Sequence, residues 1–145
     1  MGALILRRVN GGTVLVDNQL GNLFADGTVG DVAAYAFVEL VNTHASMTVS
    51  AMKLFVAVTD VGGGAYAVAV ADGVARAGSY GYTPPAGSGL TYTTATTAAA
   101  GLALPTLTAG QKCLICVRRD LTAAAQAWPE TNGIGVGYTA PVGYT

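Results

Sequence analysis

Charge is what this chain has least of. Seven lysines and arginines and eight aspartates and glutamates make up 10% of its 145 residues, against roughly 25% in an ordinary soluble domain. The net charge is −1. A polyanionic partner normally shows as a basic excess or a basic patch, and seven scattered cations make neither, so no nucleic-acid partner is expected. Histidine is nearly absent as well. His44 is the single one, and a general base, a metal ligand or a Ser-His pair would all have to use it. Two cysteines cannot make a disulfide framework and agree with a reducing compartment. Long hydrophobic runs are missing: stretches such as Leu54 to Val58 fall far below the roughly 18 residues of a membrane helix, so no membrane partner is expected. Arg7 and Arg8 follow the first apolar residues instead of preceding an apolar core, which argues against a signal peptide and for synthesis in the cytoplasm.

Small and apolar residues are what is there, and they alternate. Period-2 patterning broken by glycine turns is the dominant signal, and sustained helical periodicity is absent. Ala3 to Val9 and Thr13 to Asp17 flank Asn10-Gly11-Gly12, a good hairpin turn because Asn and Gly tolerate positive φ. Strands are expected at Ala34 to Asn42, with Ala36, Val38 and Leu40 sharing a face, and at Thr48 to Thr59, with Met52, Leu54, Val56 and Val58 inward. Gly62-Gly63-Gly64 turns the chain into Ala65 to Asp72, and Asp72-Gly73 ends that strand. Arg76 to Gly89, with Pro84-Pro85, reads as a long surface loop. Leu90 to Thr97, Leu102 to Leu107, Gln111 to Arg119 and Gly133 to Thr139 complete the strands, and Leu121 to Trp128 is a helical turn or a wide loop stopped by Pro129. The expected fold is all-β: an antiparallel β-sandwich, Ig-like or jelly-roll-like, with an N-terminal hairpin extension. Residues 1–33 would form a hairpin and linking loop acting as a docking arm, 34–139 the sandwich and 140–145 a tail.

Chemical motifs are few and each has a plain explanation. Cys113-Leu114-Ile115-Cys116 has CxxC spacing, but residues i and i+3 of a strand face opposite sides, so the thiols could neither bond nor share a metal. Zinc wants four ligands, and His44 alone remains as a soft donor. Gly62-x-Gly64-x-x-Ala67 matches the dinucleotide fingerprint only loosely, since a strand and not a helix is expected after it. Most carboxylates sit beside Gly or Asn, where turn capping accounts for them. No catalytic residue, metal or cofactor is therefore expected. Arg118-Arg119 is the notable charge pair, either an edge pair that blunts strand aggregation or a means to hold a neighbour's carboxylate bidentately, and Arg7 and Arg8 stand on the expected arm. Tyr80, Tyr82 and Tyr92 lie in or near the long loop, as material for packing, for a partner contact or for a glycan contact. Sparse charge leaves a neutral surface that resists association poorly, so lasting contact with other subunits is expected.

Phe37-Val38-Glu39-Leu40-Val41-Asn42, then Leu107-Thr108-Ala109-Gly110-Gln111, then Leu114 to Arg119, then Ala123-Ala124-Ala125 and Gly133 to Thr139 form a series. That series resembles the Ig-like β-sandwich domains of tailed-bacteriophage virion proteins, over about Ala34 to Thr139. Cys116 stands where tryptophan is common in that pattern. The resemblance implies a non-enzymatic structural protein of the virion, made in the host cytoplasm. It would be an accessory capsid decoration or cement subunit, or alternatively a tail, neck or fibre-attachment subunit with a receptor- or glycan-facing loop. Its partners would be other virion proteins, major capsid or tail subunits, with the chain a homo-oligomer inside a symmetric assembly.

Overall fold

A computed structural model describes residues 3–12, 14–15, 34–57, 60–61, 64–121 and 133–145. Among them are nine strands: β1 (Leu4–Arg8), β2 (Ala34–Asn42), β3 (Ser50–Val56), β4 (Asp60–Val61), β5 (Gly64–Ala77), β6 (Tyr92–Thr93), β7 (Leu102–Ala103), β8 (Gln111–Leu121) and β9 (Ile134–Thr139). They form two antiparallel sheets. The larger runs β1-β2-β8-β5-β4, with β6 also paired to β5, and the smaller runs β7-β3-β9. The protein is an all-β sandwich.

Alternation explains how the sheets face each other. Leu4 and Leu6 of β1, Ala36, Val38 and Leu40 of β2, Tyr66 and Val68 of β5, and Cys113, Ile115 and Val117 of β8 point one way from the large sheet. They meet Met52, Leu54 and Val56 of β3 and Ile134 of β9 from the small one. Burial of that apolar area, at roughly 25 cal/mol per Å², is the main force joining the layers.

The turns carry the expected chemistry. Asn10 and Gly11 stand at φ 58 and 77, the Leu15 N–H donates to the Leu6 carbonyl at 2.8 Å, and Arg7 bridges Val14. The N-terminal hairpin is thus present, but it is not an arm outside the sandwich. β1 pairs with β2 from Leu4↔Asn42 to Arg8↔Val38, and Leu4 and Leu6 are core residues. The expected boundary at residue 33 fails because an alternating strand with two leucines gains more from the core than from solvent. Residues 140–145 are no loose tail either: Tyr144 packs against the core and its hydroxyl donates to Asn42 Oδ1 at 2.7 Å.

Asn42 is fully buried and fully used. Its Nδ2 donates to the carbonyls of Met47 at 2.8 Å and Leu107 at 3.0 Å, while Oδ1 also accepts from the His44 N–H at 3.1 Å. One side chain therefore ties the end of β2 to a turn, to the residue before the Thr108–Gln111 turn and to the C-terminus. Asn42→Ala is expected to cost about 1–3 kcal/mol, because buried partners are left unpaired; a lower urea midpoint at unchanged m-value checks it.

One strand exceeds its expected length. Asp72-Gly73 does not end β5. The register with β8 shifts between Val70 and Asp72 and again between Asp72 and Arg76, then resumes at Arg76↔Lys112 and Ala77↔Gln111. A glycine within a strand is a common mark of a bulge. Asp72 stabilises this one by accepting from the Val74 N–H at 3.0 Å and from Arg76 Nε at 3.2 Å. The turn expected at Gly62-Gly63 lies outside the described residues, but β4 and β5 flank it as antiparallel partners. A strand follows those glycines, so the dinucleotide fingerprint lacks its helix. The segment Leu121 to Trp128 lies outside the described residues beyond Leu121.

Candidate functional site

The second face of the large sheet is where charge and aromatic rings converge. It carries Arg7 of β1, Tyr35, Phe37 and Glu39 of β2, Lys112, Leu114, Cys116 and Arg118 of β8, and Ala67 and Ala69 of β5. Simple sandwich patterning would put this face in water. Instead Glu39, Lys112, Leu114, Cys116, Ala67 and Ala69 are all buried. Segment 78–91 crosses them as a third layer and leads into β6: the Tyr82 ring lies 5.0 Å from Lys112 Nζ, and the Tyr92 hydroxyl, reaching in from β6, lies 3.2 Å from Cys116 Sγ. Small residues make the approach possible. Ala67, Ala69 and Cys116 leave room on the sheet, and Gly87 presses on the Tyr35 ring so closely that a Cβ there would collide with it.

Glu39 is the centre. Its Oε1 accepts from Lys112 Nζ at 2.8 Å and from the Asn10 N–H at 2.8 Å, and its Oε2 accepts from Arg7 Nε at 2.7 Å. Asn10 then passes the tie to the loop: its Oδ1 accepts from the Tyr82 N–H at 2.8 Å, and its Nδ2 donates to the Tyr82 carbonyl at 3.2 Å. The side-chain amide imitates a strand neighbour for one residue of the loop. The Asn10-Gly11 turn therefore aims Asn10 at both the cluster and Tyr82.

Burial pushes the Glu39 carboxyl up, but the bonds from Lys112, Arg7 and the Asn10 amide outweigh it and hold the group below its ordinary value. The sign of the pH effect follows. A depressed carboxyl contributes stability that is whole above its unfolded value, near 4.5, and is lost as pH falls through the lower folded value. Wild type is therefore expected to lose its advantage over Glu39→Gln as the pH drops from 6 to below about 4, measured as converging urea midpoints.

Neither thiol is activated. Burial, then the charge of Asp72, pushes Cys113 up to about 12; burial also raises Cys116. A reactive cysteine needs the opposite shift. Both are free and buried, and they lie on opposite faces of β8, as strand geometry requires. His44 Nδ1 accepts from the Ser46 and Met47 N–H groups at 3.1 and 2.9 Å, so it caps a turn while its ring stacks on Tyr144. Among the described residues, no group of three or more His, Cys, Asp or Glu side chains could hold a metal.

Compared with protein families, curated proteins and solved structures, the chain matches none.

The residues singled out for binding are divided by the fold. Arg7 and Arg118 lie on the loop-covered face, while Arg8 and Arg119 alternate to the other side, Arg119 only 7% exposed. The four do not make one docking surface, and Arg7 is engaged by Glu39. Of the three loop tyrosines, Tyr82 is 6% exposed and packs on Lys112, so it offers no glycan platform. Tyr92 donates its hydroxyl to the Gly87 carbonyl at 2.7 Å. Burial, then the Cys116 thiol, keeps that phenol protonated by raising its pKa. Tyr80 remains exposed at 40%. Glu39, Asn10 and Lys112 were not anticipated as a unit. A glutamate in the middle of an apolar strand and a lysine opening the run Cys113 to Val117 were the available signals.

Proposed function

We propose that the chain is a non-enzymatic structural subunit of a tailed-phage particle, an accessory protein that decorates the capsid and binds other virion proteins. The observation that carries this reading is the use made of charge and aromatic rings. Arg7, Glu39, Lys112, Tyr82 and Tyr92 fasten one part of the chain to another. They build a rigid three-layer body, and such a body suits a part repeated in a symmetric shell. The sandwich fold, and the resemblance carried by Phe37 to Asn42, Leu107 to Gln111 and Leu114 to Arg119, support the same reading. In a shell, many copies give avidity without tight single contacts.

The test is reconstitution. Particles of the phage encoding the chain, assembled without it, are mixed with the purified full chain, sedimented and imaged. The expected result is saturable co-sedimentation, with added density repeated over the capsid shell. Density confined to the neck or tail would move the subunit to that position. A monomer that stays in the supernatant contradicts the proposal.

A further inference from the structure

Two arginines on the loop side of the large sheet differ from the buried cluster between them. Arg76 lies over the Tyr80 ring, 4.5 Å from its centroid, and Arg118 over the Tyr92 ring at 4.7 Å. Their side chains are 33% and 32% exposed. Tyr35, 37% exposed, stands 6.1 Å from Tyr92 between ring centroids. Arg76 pairs in register with Lys112, six residues along β8 from Arg118, so the two sites are about 20 Å apart at ~3.3 Å per residue. That span suits a standard interface of roughly 800 Å² per partner.

We infer that this face docks a carboxylate-bearing protein surface through the Arg76–Tyr80 and Arg118–Tyr92 pairs, with Tyr35 supplying apolar area. The inference rests on the proposed virion role and names the surface that performs it. Arginine and tyrosine are the residues that dominate binding energy at interfaces. A guanidinium already laid flat on a ring loses less freedom when a carboxylate arrives. Each arginine already has a partner: Asp72, 3.2 Å from Arg76, and Asp120, 3.5 Å from Arg118 and 45% exposed. An exposed pair of that kind is worth little, so exchanging it for an incoming carboxylate is easy. A net charge of −1 for the whole chain disfavours a phosphate backbone, whose binding is driven by a large cationic excess.

The full chain, the double variant R76E/R118E and the milder R76Q/R118Q are titrated onto particles assembled without the protein. Charge reversal is expected to weaken binding about 100-fold, and neutralisation about 10-fold. Thermal midpoints should fall a little in both variants, because each loses the Arg76–Asp72 bond, and less in R76Q/R118Q, which sets no carboxylate beside Asp72. The milder pair keeps the test valid should the reversal unfold the protein. If wild type binds and both variants bind equally well, this surface is wrong while the virion role stands. If wild type does not bind, both fall. Two further results would overturn the carboxylate partner. One is binding of a 20-nucleotide thymidine oligomer that is lost in R76E/R118E, which identifies a nucleic acid. The other is self-association of the free chain that is lost in R76E/R118E, which identifies a second copy.

Discussion

Glu39→Ala is expected to destabilise the protein by about 3–5 kcal/mol, the scale for removing one partner of a buried ion pair. The carboxylate is fully buried, and so is nearly all of Lys112. Removing the carboxylate strands the Lys112 ammonium beneath the Tyr82 ring with no counter-charge, frees Arg7 and leaves the Asn10 N–H unpaired. That loss is a large share of a total of about 5–15 kcal/mol. The double substitution Glu39→Leu with Lys112→Met removes both buried charges at similar volume. It is expected to recover much of the loss. Urea unfolding of the three proteins checks both statements. Equal stability of wild type and Glu39→Ala would mean that the cluster is not closed in solution.

Leu6→Ala is expected to cost about 2–5 kcal/mol, the range for a fully buried leucine. Leu6 is 2% exposed, in an edge strand paired along its whole length with β2. A detached docking arm would lose nothing measurable from this change. The substitution therefore separates the two views of the N-terminus by several kcal/mol, and a thermal or urea midpoint reads the difference. Leu4→Ala, at a side chain fully out of solvent, should behave alike.

Much of the first sheet face was legible. Strand β2 runs from Ala34 to Asn42, as alternation alone places it, because a half-buried strand imposes period 2. Asn10-Gly11 adopts positive φ where turn chemistry asks for it. Gly110, at φ 77, does the same between Thr108 and Gln111, letting the Gln111 N–H reach the Thr108 carbonyl at 3.0 Å. The thiols of Cys113 and Cys116 face opposite ways for a purely geometric reason.

The second face was harder to read. Its cover comes from Tyr82, 72 residues from Asn10, and local patterning carries no such long-range fact. A partial signal existed. Cys113 to Val117 is a continuous apolar run, the mark of a strand buried on both faces, and it indicates that the loop side could not be open. Asp72-Gly73 misled because a turn dipeptide and a bulge use the same residues. The tyrosines left packing and partner contact both open, because an aromatic in a proline-glycine loop can serve a partner or the chain's own sheet equally well. Only the position of Lys112 beneath Tyr82 separates those uses.

Amide hydrogen exchange at Tyr82 is the most direct test of the claim that the loop is fastened over the large sheet by Glu39. The Tyr82 N–H sits in a loop but donates to Asn10 Oδ1, one step from the cluster. In wild type it is expected to exchange slowly, with protection in the class of the β8 amides, and to lose that protection in Glu39→Gln while β8 keeps its own. Exchange of the wild-type Tyr82 amide at the rate of an exposed loop would contradict the account.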